Sequence, residues 1–160
     1  MSDFDPNNQF QIYFGENAEI PSKYSNATKN ASAFVTTSDF SMVLLVYSQH
    51  PQRHWELPGG KINYNETPRE AALRELHEEA GLDAAKMKCL GCCVDMQQRY
   101  LMPIYIFVQE NYCSLEPSGE TRGAWYFPLR SDSLPKLSYE EDFDYYLWIA
   151  AQLTSHYQSN

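Results

Sequence analysis

The stretch from Gly60 to Leu82, GKINYNETPREAALRELHEEAGL, constrains this chain more than any other, because it dictates a loop, a helix and a two-faced set of side chains. Thr67 is a favourable N-cap, Pro68 suits the first helical position and Glu70 completes a Thr-x-x-Glu capping box. Gly81 supplies the left-handed residue that ends a helix. The spacing therefore predicts a helix over residues 68–80. At 3.6 residues per turn, Glu75, Glu78 and Glu79 share one face, while Ala72, Leu73, Leu76 and Ala80 form an adjoining apolar stripe. The acids are expected to face a cleft and the stripe a core.

Three carboxylates this close repel one another, and their proton affinity rises unless a cation sits between them. An all-oxygen cluster with positions left open for water and phosphate suits Mg²⁺ or Mn²⁺ better than Zn²⁺. Taken alone, Glu-x-x-Glu-Glu on a helix reads more often as a solvated face. The residues around it reverse that reading.

Gly60, Glu66 and the run Arg74-Glu75-Leu76-x-Glu78-Glu79-x-Gly81-Leu82 match all nine defined positions of the Nudix box, and the chain is identified on them as resembling the Nudix hydrolase family. The resemblance implies an α/β/α sandwich with a central mixed β-sheet. It also implies hydrolysis of a nucleoside diphosphate linked to another group, with divalent ions held by carboxylates. By the same resemblance, Glu75 and Glu79 are direct metal ligands, Glu78 serves an additional ion, and the carbonyl of Gly59 or Gly60 is a further donor. Arg74 and Glu66 are expected to pair, the arginine bracing the loop against the helix in bidentate fashion. Glu120, five residues before Trp125, is the candidate for a further carboxylate that ligates metal or activates water, with Glu116 as the weaker alternative.

Other positions near the box have two readings. Glu70 is assigned to capping, and Arg69 and His77 to solvent. Trp55-Glu56-Leu57-Pro58-Gly59-Gly60 reads as a strand ending in a tight glycine turn that lets backbone approach an ion or phosphate. Arg53 and Lys61 could meet phosphate oxygens or stay solvated. Tyr100, Trp125 and Tyr126 could stack on a nucleobase or belong to the core.

The chain has 160 residues, 43% of them hydrophobic, enough for one domain with its own core. Strands are expected at 31–37, 42–48, 87–95, 100–109 and 121–127, and a final helix at about 139–153 capped by Ser138 and Glu141. This gives an α/β layered domain over residues 31–156, with residues 1–30 an N-terminal extension of unassigned role. Cys89, Cys92, Cys93 and Cys113 read as free thiols rather than a zinc site. No apolar run is long enough to span a membrane, and the polar start MSDFDPNNQ is unlike a signal peptide, so a cytoplasmic location is expected. Oligomeric state has no signature in the sequence.

The net charge of −9 disfavours long nucleic acid as a partner, since that affinity comes largely from Lys and Arg. The expected substrate is a small nucleotide: a (deoxy)nucleoside triphosphate or oxidised nucleotide, cleaved to monophosphate and pyrophosphate. Dinucleoside polyphosphates and RNA 5′ ends are the alternatives. A nucleotide-binding module without catalysis is a further reading, against which the complete set of box acids argues.

Overall fold

The computed structural model describes residues 6–23, 28–97, 102–110, 115–116, 121–130 and 132–158. Its elements run α1 (Pro6–Gln9), β1 (Phe10–Phe14), β2 (Asn30–Thr36), β3 (Met42–Ser48), β4 (Trp55–Glu56), β5 (Gly59–Lys61), α2 (Pro68–Ala80), a 3₁₀ turn (Ala84–Lys86), β6 (Lys88–Asp95), β7 (Ile104–Val108), β8 (Thr121–Pro128) and α3 (Asp142–Gln158).

The eight strands form one mixed sheet in the order β1-β6-β7-β2-β3-β4, with β5 pairing β2 and β8 pairing β3. The β2–β7 pair is parallel, from Ser32 opposite Ile104 to Thr36 opposite Val108. The other pairs are antiparallel. β2 pairs β5 at its start and β3 only at Thr36, so the sheet splits between β5 and β3.

Alternation along these strands makes two cores, because successive side chains point to opposite faces. Phe34, Val43, Leu45, Ile104 and Ile106 pack with Tyr145, Tyr146, Ile149 and Leu153 of α3. Ala33, Val35, Leu44, Val46, Tyr105 and Phe107 pack with Ala71, Ala72, Leu76 and Ala80 of α2. The result is the expected α/β/α sandwich. Strands buried on both faces read as near-continuous apolar runs, which explains MVLLV in β3 and IYIFV in β7.

α2 spans the residues expected for it. Thr67 Oγ1 accepts from the Glu70 N–H at 3.1 Å, and Glu70 Oε1 accepts from the Thr67 N–H at 3.1 Å. Gly81 closes the helix in the left-handed conformation, φ 74°. Two expectations need correction. α3 begins at Asp142, not 139, because the Ser138 hydroxyl is engaged elsewhere: it donates to Glu56 Oε1 at 2.9 Å and accepts from the His54 N–H at 2.9 Å. Arg69 is not left to solvent; its Nε donates to Glu19 Oε1 at 2.8 Å, and Tyr105 Oη donates to the other Glu19 oxygen at 2.7 Å.

The sheet also takes in a strand from upstream of residue 30, which the sequence left without a reading. β1 pairs β6 along its whole length, Phe10 opposite Asp95 and Phe14 opposite Gly91. No helix among the described residues is long and apolar enough to cross a membrane.

Candidate active site

β5 and the loop after it deliver the glycine turn to the acidic face of α2. Gly59 pairs with Ser32 and Gly60 with Ala31, which pins the turn to the central strand β2. The position a Cβ would take on Gly60 is filled by the carboxylate of Glu75, and that on Gly59 by Ser32 and the Ala31 carbonyl. Only glycine permits these two approaches.

Glu79 is 8% exposed, and its Oε1 accepts from the Gly59 N–H at 3.3 Å. Burial, and after it the Glu75 carboxyl beside it, hold Glu79 well above the usual carboxylate range. Adjacent carboxylates disfavour each other's charge, and a cation held between them relieves that repulsion.

Arg74 is the hub of the opposite flank. Its Nε and Nη2 donate to the two oxygens of Glu66 at 2.7 and 3.1 Å, so the expected brace is bidentate. Nη2 also donates to the Lys61 carbonyl at 2.9 Å, and Nη1 to Glu75 Oε1 at 3.0 Å and Glu78 Oε2 at 3.3 Å. Hydrogen bonds from Arg74 hold the Glu66 carboxyl below its ordinary range. The preceding turn supports this brace: the Asn63 N–H donates to Glu66 Oε1 at 3.0 Å, and Asn65 adopts the left-handed φ of 64° that asparagine tolerates.

The structure therefore brings Gly59, Gly60, Glu66, Arg74, Glu75, Glu78 and Glu79 together. As they stand, no group of three or more His, Cys, Asp or Glu side chains among the described residues converges to hold a metal ion. Arg74 engages Glu75 and Glu78, and Glu75 also lies beside Glu79. The donor set still fits a hard divalent ion, being all oxygen and reached by backbone that has no side chain in the way.

Other expected site residues lie further out. Arg53 pairs with Glu56 at 3.6 Å, and Lys61 contributes its carbonyl while its side chain is exposed. Trp125 is 65% exposed on β8 and so is not a core residue, whereas Tyr126, at 8%, is. His77 is exposed as expected and pairs with Asp83 at 2.8 Å. Glu116 sits at the end of α2, its N–H donating to the Ala80 carbonyl at 2.9 Å. Tyr100, Cys113 and Glu120 lie outside the described residues; Thr121, next after Glu120, donates its hydroxyl to the Glu79 carbonyl at 3.1 Å. Cys89, Cys92 and Cys93 are buried free thiols.

A cavity of about 700 Å³ opens on the α3 side of the sheet. Gly59 and Gly60 belong to its lining, so the same turn that meets Glu75 and Glu79 also forms the cavity edge. Glu56, Asp95, Glu141, Asp142 and Asp144 lie on the lining with Arg53. Burial, then the nearby Glu141 and Glu56, push Asp142 up to about 6. Sequence reasoning named Arg53 as a phosphate candidate and Glu141 as a cap but did not group them with Glu56, Asp95, Asp142 and Asp144, because these come from β4, β6 and α3, which only the folded sheet brings together.

A family model for the NUDIX domain matches residues 27–149. The chain belongs to the NUDIX family. Members of it generally need divalent metal ions. Among NUDIX relatives, an 8-oxo-dGTP diphosphatase of Proteus vulgaris is 40% identical over 62 residues, covering 38% of this chain and 55% of that protein. An RNA pyrophosphohydrolase of Pseudomonas paraeruginosa is 51% identical over 41 residues, 26% of either chain. The chain thus spans only about half or a quarter of the length of these relatives. Solved NUDIX-like structures share the fold over more of the chain. A C. elegans Ap4A hydrolase binary complex superposes with a TM-score of 0.64 at 19% identity, covering 79% of this chain and 99% of that one. A Bacillus subtilis pyrophosphohydrolase superposes with a TM-score of 0.57 at 23% identity, covering 98% and 97%.

Proposed function

We propose that this chain hydrolyses a nucleoside diphosphate linked to another group, and that the substrate is a (deoxy)nucleoside triphosphate or its oxidised form, cleaved to monophosphate and pyrophosphate. The observation that carries the reading is the cradle in which Gly59 and Gly60 meet Glu75 and Glu79 while Arg74 ties Glu66, Glu75 and Glu78 into one rigid unit. The name of the 8-oxo-dGTP diphosphatase supports a nucleoside triphosphate.

Glu75, Glu79 and a carbonyl of the glycine turn would hold Mg²⁺, or Mn²⁺ in its place, with Glu78 available to a second ion. A divalent ion bound there would neutralise phosphate oxygens and lower the charge that a bond-breaking step must build. Arg74 keeps the ligands in register. Glu66 holds Arg74. Water adds to one phosphorus of the anhydride, the bridging P–O bond breaks, and a proton is released as the two phosphate products part. Arg53, which lines the cavity and pairs with Glu56, is our candidate partner for a phosphate oxygen.

The RNA pyrophosphohydrolase relative makes an RNA 5′ end the second substrate to test, and the Ap4A hydrolase name brings dinucleoside polyphosphates into the same panel. A cytoplasmic location fits the same reading, with the buried thiols in reduced form. The test is incubation with Mg²⁺ and a panel of nucleoside triphosphates, oxidised dGTP, dinucleoside polyphosphates and 5′-triphosphate RNA, alongside Glu79→Gln. Monophosphate and pyrophosphate from a triphosphate, lost in the variant, is the expected result. Binding without turnover across the panel would favour a non-catalytic nucleotide-binding module.

A further inference from the structure

Of the box acids, Glu79 lies nearest the end of α2. The final carbonyls of a helix have no partner within it, and such ends fray unless a group from outside closes them. α2 stops at Ala80, and Asp83, four residues beyond Glu79, is already in extended backbone. The Gly81 N–H donates to the His77 carbonyl at 2.9 Å, and the Glu116 N–H to the Ala80 carbonyl at 2.9 Å. The Glu79 carbonyl accepts from the Thr121 hydroxyl at 3.1 Å. Glu79 is thus held from two strands, its carboxylate by the Gly59 N–H of β5 and its backbone by Thr121 of β8.

A break in strand register aims that hydroxyl. From Met42 opposite Pro128 to Tyr47 opposite Gly123, β3 and β8 pair one to one. Along this stretch Ala124 and Tyr126 pack toward α2, and Phe127 packs toward α3. Strict alternation would turn Thr121 to the same side as Phe127. Instead Thr121 lies opposite Ser48, so that β8 carries one extra residue, Arg122, between these two pairs. A bulge of this kind re-aims the side chains beyond it, because a shift of one residue exchanges the faces of a strand. It turns Thr121 to the α2 side, where its hydroxyl reaches Glu79.

We propose that Thr121 is a positioning residue for the divalent-metal site: by closing the last turn of α2 on the Glu79 carbonyl, it fixes the direction in which the Glu79 carboxylate meets the ion. The proposal deepens the functional reading and rests on its assignment of Glu79 as a ligand. Partners of this outer kind orient ligands and set metal affinity without touching the metal. Thr121→Val keeps the shape and the β-branching but removes the donor. Thr121→Ser keeps the donor and loses a methyl group.

The test titrates the full chain with Mn²⁺ alone, below the melting temperature of every variant, and counts free ion by electron paramagnetic resonance. Thr121→Val is expected to raise the Mn²⁺ dissociation constant about tenfold, the scale for loss of a partner that orients a ligand. Thr121→Ser should bind as the wild type does, and Glu79→Gln should lose most of the affinity. Thr121→Ala, read in the same way, covers the case in which Thr121→Val folds poorly. A merely structural role would lower the melting temperature of Thr121→Val and leave the Mn²⁺ affinity of the folded protein unchanged, which overturns the proposal while Glu79 stays a ligand. Loss of affinity in Thr121→Ser equal to that in Thr121→Val also overturns it, since the hydroxyl is then not the cause. If the wild type takes up no Mn²⁺, or Glu79→Gln binds it equally well, the ligand assignment and the proposal fall together. Mn²⁺ binding that depends on the Thr121 hydroxyl, in a protein that turns over no nucleotide, upholds the proposal while the functional reading alone fails.

Discussion

The carboxylate of Glu75 occupies the space in which Gly60 would carry a Cβ. A methyl group at residue 60 must push that carboxylate aside or move the turn. Gly60→Ala is therefore expected to lower kcat about 100-fold, the scale of a 1 Å misplacement in a reacting site. The melting temperature should change little, because the displaced atoms end a side chain. Steady-state kinetics beside thermal unfolding checks both halves, and near-normal turnover would remove Glu75 from the reacting centre.

Arg74 makes contacts that a lysine cannot reproduce. Its planar fork serves both oxygens of Glu66, the Lys61 carbonyl, Glu75 and Glu78 at once. Arg74→Lys keeps the charge but loses the bidentate pair, so stability should fall by about 1.5–3 kcal/mol, the range for hydrogen bonds to charged groups. Activity should fall further than stability does. Urea unfolding and kcat/KM measured on the same preparation separate the two.

Asp142 gives a pH signature. Its acidity is weakened by burial and by Glu141, Glu56 and Asp95, while Tyr146 donates a hydrogen bond that acts the other way. An acid with a folded-state pKa raised to about 6 from 3.8 contributes stability that is complete below the unfolded value and is lost as pH rises through about 6. Asp142→Asn removes that titration. The difference in melting temperature, variant minus wild type, should become more positive from about pH 4 to about pH 7, across the two pKa values, and a flat difference would show that Asp142 is not strained by ionisation.

Leu76 is fully buried between α2 and the sheet. Leu76→Ala should cost about 2–5 kcal/mol through lost burial and a cavity. Denaturant unfolding measures this directly. A change under 1 kcal/mol on the same scale would mean that the helix can settle onto the sheet without it.

Local rules made α2 legible to the residue. Thr67, Pro68, Glu70 and Gly81 each act within one turn of the chain, so their effect does not depend on what lies elsewhere. The Arg74–Glu66 brace was legible for a similar reason, both residues belonging to one motif. Arg69 was misread because its partner Glu19 lies 50 residues away. The start of α3 was missed because Ser138, a good cap by type, is claimed by Glu56 on β4 and by His54 just before it. The cavity wall was invisible in sequence, since Gln9 and Asp95 become neighbours only when β1 pairs β6, and that pairing joins residues that no motif links.

The parallel pairing of β2 with β7 has a kinetic side. Residues 32–36 find their partners at 104–108, so the whole glycine turn and α2 lie inside the crossover that joins these two strands. Closing that loop costs entropy before any of its contacts form, which raises contact order and slows folding. The acids of α2 thus have no fixed cradle until the central pair has closed, and the time at which a refolding chain first becomes competent should follow the slow formation of the sheet, not the fast formation of the helix.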